Sequence, residues 1–439
     1  MEAEQKFYTE LLSQLRTNPL SFITSLPREL VLELLKYVSR KQYLACGPEQ
    51  TVLINEEGKV FCFGENRNGQ LGIGQNKPLI LDITKNEFLE KEQQEIKSIS
   101  CGQDLTIFVN KTGKVFASGY TIWRNESHRY LAKKPEDVVL LKNERIILTS
   151  CGEKHAIFLS ENGEVFSCGD NFFYQLGQET TVRHLPPNKI NALTGKKIIF
   201  VACGSSHSIF LDETGAVFFC GRIKSFESSK IMQMTSLANE KIVFASTGSS
   251  ASHTILLNHK GEAFSFGENS EGQLGLGDKT AKQIPVKISA LSNEKIIHAT
   301  TGKESSIMLN DKGELIVFGS PYSKYSEDQN RKNTIVVAKY PFGYKIKLSD
   351  NKRFTEAACA KTYAVLLDQD GRIFIWGVSG LFVAGLFGAG VLSSNELIEP
   401  TLIPNFSLFT KTKEQQQGGM VDYYKKYLKY KKKYMSSRM

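Results

Sequence analysis

Residues 151–169 read CGEKHAIFLSENGEVFSCG, and residues 203–221 read CGSSHSIFLDETGAVFFCG. In both, a Cys-Gly pair precedes an apolar run, a polar turn ends in glycine, and an apolar-aromatic run closes on a second glycine. Runs rich in β-branched and aromatic residues around a glycine turn are the signature of a β-hairpin. Moving outward, the two glycines of that hairpin recur, six residues apart, as Gly58/Gly64, Gly113/Gly119, Gly163/Gly169, Gly215/Gly221, Gly261/Gly267, Gly313/Gly319 and Gly371/Gly377. They enclose KVFCF, KVFAS, EVFSC, AVFFC, EAFSF, ELIVF and RIFIW.

A small residue followed by glycine lies eleven residues before the turn glycine, at Cys46-Gly47, Cys101-Gly102, Cys151-Gly152, Cys203-Gly204 and Thr301-Gly302. Cys359-Ala360 takes its place in the seventh copy, and Thr247-Gly248 sits 13 residues before Gly261 in the fifth. Successive turn glycines are 55, 50, 52, 46, 52 and 58 residues apart. A unit of roughly 50 residues holding about four short strands has the size of a propeller blade. The spacing therefore predicts an all-β, seven-bladed propeller over residues 41–406, closed so that no sheet edge is left open.

Some copies carry a further motif: ENRNGQLGIG from Glu65 to Gly74, ENSEGQLGLG from Glu268 to Gly277, a partial DNFFYQLGQ after Gly169, and a distorted VSGLFVAGLFGAG after Gly377. Together, CGxxHxxxL, xxGxVFxxG, NxxGQLGxG and a later proline (Pro285, Pro400) closely resemble the regulator of chromosome condensation repeat, across about 365 of 439 residues. The resemblance implies a seven-bladed β-propeller. It also implies a repeat offset from the blade, so that strands from residues 42–54 would close the blade opened by residues 371–406.

The repeated residues themselves suggest no catalysis. GQLGIG follows a hairpin instead of opening a helix, which argues against a phosphate cradle. His155, His207 and His253 hold equivalent places, taken elsewhere by Gln50, Leu105, Ser305 and Tyr363, and are expected to be partly buried and satisfied by backbone. No Ser-His-Asp order, HExxH or CxxC pair occurs, so we expect no catalytic residue, no metal site and no cofactor. The eight cysteines are read as small buried fillers, reduced in an intracellular protein, since no apolar h-region follows the N-terminus. The stretch from Gly377 to Leu392 is too short to span a bilayer.

Individuality lies in the nonrepeating pieces. Residues 320–352 carry two aromatic-lysine clusters, Tyr322/Lys324/Tyr325 and Lys339/Tyr340/Phe342/Tyr344/Lys345, readable as a protruding binding loop or as a divergent blade edge. Residues 120–145 place Trp123, Arg124, Arg129, Lys133 and Lys134 in exposed or half-exposed positions. Residues 1–40 are read as helical: SLPRELVLELLKYV sets Leu30, Leu34, Leu35 and Val38 on one apolar stripe. Leu26, Pro27, Glu29, Leu30 and Leu34 resemble the first helix of an F-box, truncated because the first propeller strand begins near Gln42. Residues 407–420 form a polar linker, and residues 421–439 a basic tail in which Tyr423, Tyr427, Tyr430 and Tyr434 share a helical face among Lys425, Lys426 and Lys429. The tail is similar to Tyr/Lys-rich C-termini on proteins of giant DNA viruses.

The chain carries 55 Lys and Arg against 46 Asp and Glu, a net +9, of which the tail alone supplies six Lys and one Arg against one Asp, or +6. The propeller is thus nearly neutral, and nucleic acid would be met through the tail. We read the protein as a noncatalytic interaction scaffold with protein partners on a propeller face. Its N-terminal helix would engage a Skp-type adaptor, as in a substrate-recruiting F-box-like adaptor for a ubiquitin ligase. The alternatives are a guanine nucleotide exchange factor for a Ran-like small GTPase, as the resemblance implies, and a chromatin-associated protein.

Overall fold

A computed structural model describes residues 43–121, 130–180, 182–224, 226–320, 334–378 and 396–409. Seven antiparallel sheets follow one another in the chain and close into a ring, the seven-bladed propeller that the glycine spacing predicts. Blade 1 runs from Leu44 to Lys85, blade 2 from Ile96 to Asp137, blade 3 from Ile146 to Lys189 and blade 4 from Ile198 to Gln233. Blade 5 spans Ile242 to Lys287, blade 6 Ile296 to Leu348 and blade 7 Phe354 to Ser407.

The turn glycines have φ between 77° and 90° and the second glycines between 92° and 128° in all seven copies. Only residues without a Cβ enter that region freely, which is why the pair recurs without exception. The side chain three residues before each turn glycine closes the same hairpin. Asn55 Oδ1 accepts from the amides of Glu57 and Lys59 (3.1 and 2.9 Å), and Asn110, Asp212, Asn258, Asn310 and Asp368 do likewise. This Asx turn is part of the repeat that motif reading passes over.

Seven apolar clusters fill the seven seams, one between each pair of neighbouring blades. Cys62, Cys101, Cys151, Cys168, Cys203, Cys220 and Cys359 lie buried in them as free thiols, in keeping with the filler reading. The small-Gly marker lines the closest approach between blades. A Cβ on Gly102 would sit 2.9 Å from the Gly152 carbonyl oxygen, and one on Gly248 would fall on that of Thr301 at 2.0 Å.

The ring closes differently from the expected clasp. Leu44–Cys46 and Gln50–Ile54 pair with each other and with Val60–Glu65, so they belong to blade 1, and blade 7 takes all four strands from residues 354–407. Closure is instead side by side. The Glu356 carboxylate accepts from the amides of Tyr43 (3.2 Å) and Leu44 (3.1 Å), the Lys361 amide donates to the Pro48 carbonyl (3.1 Å), and the Tyr43 and Phe409 rings meet edge-on at 5.2 Å.

Blade 6 departs from four strands. Gly343–Leu348 pairs with Leu315–Gly319, and Thr334–Tyr340 adds a fifth strand outside it. The described part of the second aromatic-lysine cluster is therefore a divergent blade edge. The expected helical head and basic tail lie outside the described residues, whose one α-helix is Glu87–Lys91, capped by Asn86. No helix among the described residues is long and apolar enough to cross a membrane.

Candidate interaction face

The strand registers sort the loops onto two ends of the ring. The second glycine of each hairpin pairs with the first residue of the preceding strand, as in Gly64 with Gln50 and Gly169 with His155. Loops that follow the second glycines therefore share one end with the small-Gly loops; the turn glycines lie at the other.

The repeated histidines are inside the ring wall. His155, His207 and His253 are fully buried, and each reaches a hydroxyl of the next blade: His155 Nε2 to Ser208 Oγ (3.0 Å), His207 Nε2 to Thr254 Oγ1 (2.9 Å) and His253 Nε2 to Ser306 Oγ (2.8 Å). The hydroxyl is itself repeat-equivalent, and it adds to the expected backbone partner, which His155 finds at His207 and His253 at Ser305. Gln50 Nε2 likewise contacts Thr106 Oγ1 (3.5 Å), and Tyr363 meets Thr51 (2.9 Å). Where a donor place is held by Leu105, the facing hydroxyl place is held by Ala156, and the two meet in an apolar cluster.

The tautomer follows from the network. Ser208 Oγ donates to the Gln175 carbonyl (2.7 Å) and Ser306 Oγ to that of Gln273 (2.8 Å), so each serine must accept from an Nε2–H. Nδ1 is left as a bare lone pair without a partner. Protonation would bury an unsatisfied N–H and a charge, and burial accordingly lowers His155 and His207 to about 3 and His253 to about 4. These are neutral, structural imidazoles.

The GQLG motif is equally inward. Asn66 and Asn269 cap it through the amides of Leu71 (3.1 Å) and Leu274 (2.9 Å), while Gln70 and Gln273 accept from the amides of Asn68 and Glu271 (2.9 Å each). The asparagine Oδ1 and glutamine Oε1 atoms hold the loop together, while Nε2 of Gln70 and Gln273 is buried without a partner. A small cleft between blades 2 and 3 has a mainly apolar surface that includes Leu105 and Tyr120, with Asp104, Glu153, Lys154 and Asp170 also among its lining residues. Among the described residues no group of three or more His, Cys, Asp or Glu is placed to hold a metal ion.

Of the candidate binding residues singled out from sequence, Lys133, Lys134, Tyr340, Phe342, Tyr344 and Lys345 fall in the described set, and the three aromatics separate. Tyr340 packs on Phe318 (5.6 Å between centroids) and Tyr344 on Trp376 (6.1 Å). Lys345 is enclosed, bonded to Glu294 (2.7 Å) and paired with Glu314 (3.3 Å). Burial alone would push its ammonium down; the two carboxylates more than offset that and hold it above its ordinary value. Phe342 alone is exposed, at a turn with φ 55°, with Lys279 Nζ 5.4 Å from its ring. Lys133 and Lys134 are exposed as expected, bonded to Asn76 and set over the Phe88 ring. Leu26, Pro27, Glu29, Leu30, Leu34, Trp123, Arg124, Tyr322, Tyr325, Lys425, Lys426 and Lys429 lie outside the described residues.

A second aromatic group on the loop end was not anticipated from sequence. Phe172 and Phe173 meet edge-on at 4.8 Å, with the Arg183 guanidinium 4.8 Å above Phe172 and that of Arg222 4.7 Å above Phe173. Phe172 is 52% exposed and its neighbour Val182 51%. The signal was present in DNFFYQLGQ, where aromatics replace the polar tip of ENRNGQLGIG.

Comparison with known proteins agrees with this architecture. The family model described as the regulator of chromosome condensation (RCC1) repeat matches residues 57–109, 162–211 and 260–309, and a second model of that description matches residues 146–175. The chain is 29% identical over 355 residues to the probable E3 ubiquitin-protein ligase HERC4 of Homo sapiens, covering 77% of this chain and 32% of that protein. It thus spans about a third of the length of that relative. It is 25% identical over 347 residues to the ultraviolet-B receptor UVR8 of Arabidopsis thaliana, covering 76% of each. Among solved structures, Prp20p from Saccharomyces cerevisiae superposes with a TM-score of 0.64 at 20% identity, covering 84% of this chain and 89% of that one. Human WBSCR16 gives 0.64 at 20%, covering 79% and 93%.

Proposed function

From a chain built of regulator of chromosome condensation repeats closed into seven blades, we propose a noncatalytic protein-interaction scaffold that recruits a protein partner to the loop end of its ring. The carrying observation is the division of chemistry between wall and rim. The repeated polar side chains are spent inside the seams, while the rim presents Phe172 beneath Arg183 and Phe342 beside Lys279. Exposed aromatic and arginine groups are the residue types that anchor protein interfaces.

The finer reading is a substrate-recruiting adaptor. Residues 1–40 would hold a Skp-type ubiquitin-ligase subunit through Leu26, Pro27, Glu29, Leu30 and Leu34, while the ring holds the substrate. The name of HERC4 as a probable ubiquitin ligase supports a propeller of this kind in that setting, though this chain matches only 32% of it. A binding assay with a purified Skp-type adaptor tests the proposal. Association that is lost in Leu30→Asp and Leu34→Asp is expected; no association by the parent chain removes the adaptor role.

A second reading is nucleotide exchange on a Ran-like GTPase. Prp20p, which shares this fold, is described as binding Gsp1p and histones. Exchange needs a docking face and no catalytic constellation. Release of a fluorescent guanine nucleotide from such a GTPase, measured with and without this chain, decides it.

A further inference from the structure

The blade 3 copy of the NxxGQLG loop breaks the rule its siblings keep. In blades 1 and 5 the three residues after the capping asparagine are Arg67-Asn68-Gly69 and Ser270-Glu271-Gly272; in blade 3 they are Phe172-Phe173-Tyr174. The frame beneath is unchanged. Gln175 Oε1 accepts from the Phe173 amide at 2.9 Å, as Gln70 does from Asn68 and Gln273 from Glu271, and Asn171 Oδ1 accepts from the Leu176 amide at 3.1 Å. The third position is left-handed in all three, with φ 68° at Gly69, 61° at Tyr174 and 80° at Gly272. A tyrosine there is strained where glycine is not. The loop folds with polar tips elsewhere in the same chain, so folding does not require this aromatic cluster.

We infer that Phe172, Phe173, Arg183 and Arg222 form a docking patch for an acidic protein segment that carries an aromatic anchor. This deepens the scaffold reading and rests on it. Each guanidinium lies over a phenylalanine ring, which restrains it and leaves N–H groups to spare. Neither arginine has a carboxylate partner among the described residues, and Arg222 gives one donor to the Lys224 carbonyl (3.1 Å). Of the nearby carboxylates, Asp170 accepts from Gln175 (3.0 Å) and Glu268 is paired with Lys224 (2.8 Å), while the exposed Glu227 stands opposite Arg222 in the strand register, so that Arg183 carries the larger share of the positive charge offered to a partner. Two restrained forks beside exposed Phe172 and Val182 fit carboxylates interspersed with an apolar ring.

The test uses the full chain and three labelled peptides of equal length, read by fluorescence anisotropy. One is acidic with two tryptophans, one equally acidic without aromatics, one basic with two tryptophans. The first binds saturably, and more weakly as salt rises; the others bind at least about tenfold more weakly. Phe172→Ser, or Arg183→Glu with Arg222→Glu, weakens the first peptide by about tenfold or more. A tip swap, Phe172→Arg with Phe173→Asn and Tyr174→Gly, recreates the blade 1 loop on the same frame. It keeps or raises the unfolding midpoint while losing the peptide.

No saturable binding of the acidic aromatic peptide overturns the patch. So does equal binding of the basic one, binding unchanged by the tip swap, or Phe172-dependent self-association in sedimentation, which would make a second copy the occupant. If the patch fails and another loop still holds a partner, the scaffold reading survives. A parent chain with no protein partner on any part of the rim sinks both.

Discussion

The hydroxyls of Thr51 and Tyr363 lie 2.9 Å apart, and that bond joins the first blade to the last. It is the same contact that His155 makes with Ser208 and His253 with Ser306, transposed to the closing seam. Tyr363→Phe removes the hydroxyl and should cost about 1 kcal/mol of unfolding free energy. Glu356→Ala should cost more, about 1–3 kcal/mol, because it strips the acceptor from the amides of Tyr43 and Leu44. Denaturant midpoints measure both. Amide exchange at residues 43–46 should accelerate in Glu356→Ala; unchanged exchange there would mean that the seam does not depend on this carboxylate.

The buried histidines make the ring acid-sensitive. Their folded pKa values, about 3 for His155 and His207 and about 4 for His253, lie below the ordinary 6.5 of the unfolded chain. Above pH 6.5 neither state is protonated and the stabilisation is complete. As pH falls, the unfolded state takes up protons first, so stability declines from about 6.5 until the folded values near 3–4 are reached. Each histidine contributes a slope of about 1.4 kcal/mol per pH unit in that window. His→Gln at 155, 207 and 253 borrows the residue that holds this place in blade 1 and should flatten the acid limb. An equally steep limb in the triple variant would show that other groups control it.

How far the molecule could be read from its sequence depended on the distance between cause and partner. The glycine pairs were legible because a hairpin of a dozen residues dictates their φ on its own. The histidine places were legible as repeats, yet their hydroxyl partners were not, since Ser208 lies 53 residues beyond His155 and pairs with it only across a seam. The blade phase was misjudged because Leu44–Cys46 finds its partner locally, in Gln50–Ile54, and needs no strand from the far terminus. The cluster that holds Lys345 was readable both as a protruding binding loop and as a divergent blade edge, because a lysine among tyrosines does not show what it pairs with. The Glu294 and Glu314 partners of Lys345 lie 51 and 31 residues upstream, in the connection before blade 6 and on its third-strand hairpin. Phe172 was overlooked for the opposite reason: phenylalanine is most often core, and only the placed loop shows it in solvent.

The thiols should be nearly silent in the folded protein. Burial pushes Cys46, Cys62, Cys151 and Cys203 up to about 12, and raises Cys101, Cys168 and Cys220 as well. Thiolate is the reactive species, so a disulfide reagent at pH 8 should find almost none until the ring opens. All eight should then react in denaturant, none being paired. Cys46, the one that is only partly buried, should be the first to label under native conditions. Rapid native labelling of several thiols would contradict the seam packing.

The left-handed tip residues predict opposite signs for substitutions at equivalent positions. Tyr174→Gly relieves backbone strain at φ 61° and should stabilise the chain by about 1 kcal/mol, less whatever packing the ring contributes. Gly272→Ala at φ 80° should destabilise, because its Cβ would stand 2.5 Å from Phe342 Cβ in addition to the strain. A cost above about 2 kcal/mol is expected there, since Phe342 sits on a turn that must shift as a unit. Paired urea titrations of the two variants give the contrast directly. If Tyr174→Gly proves destabilising by more than about 1 kcal/mol, the tyrosine side chain holds its loop through packing, and the cluster at Phe172 and Phe173 would have a structural reason to exist.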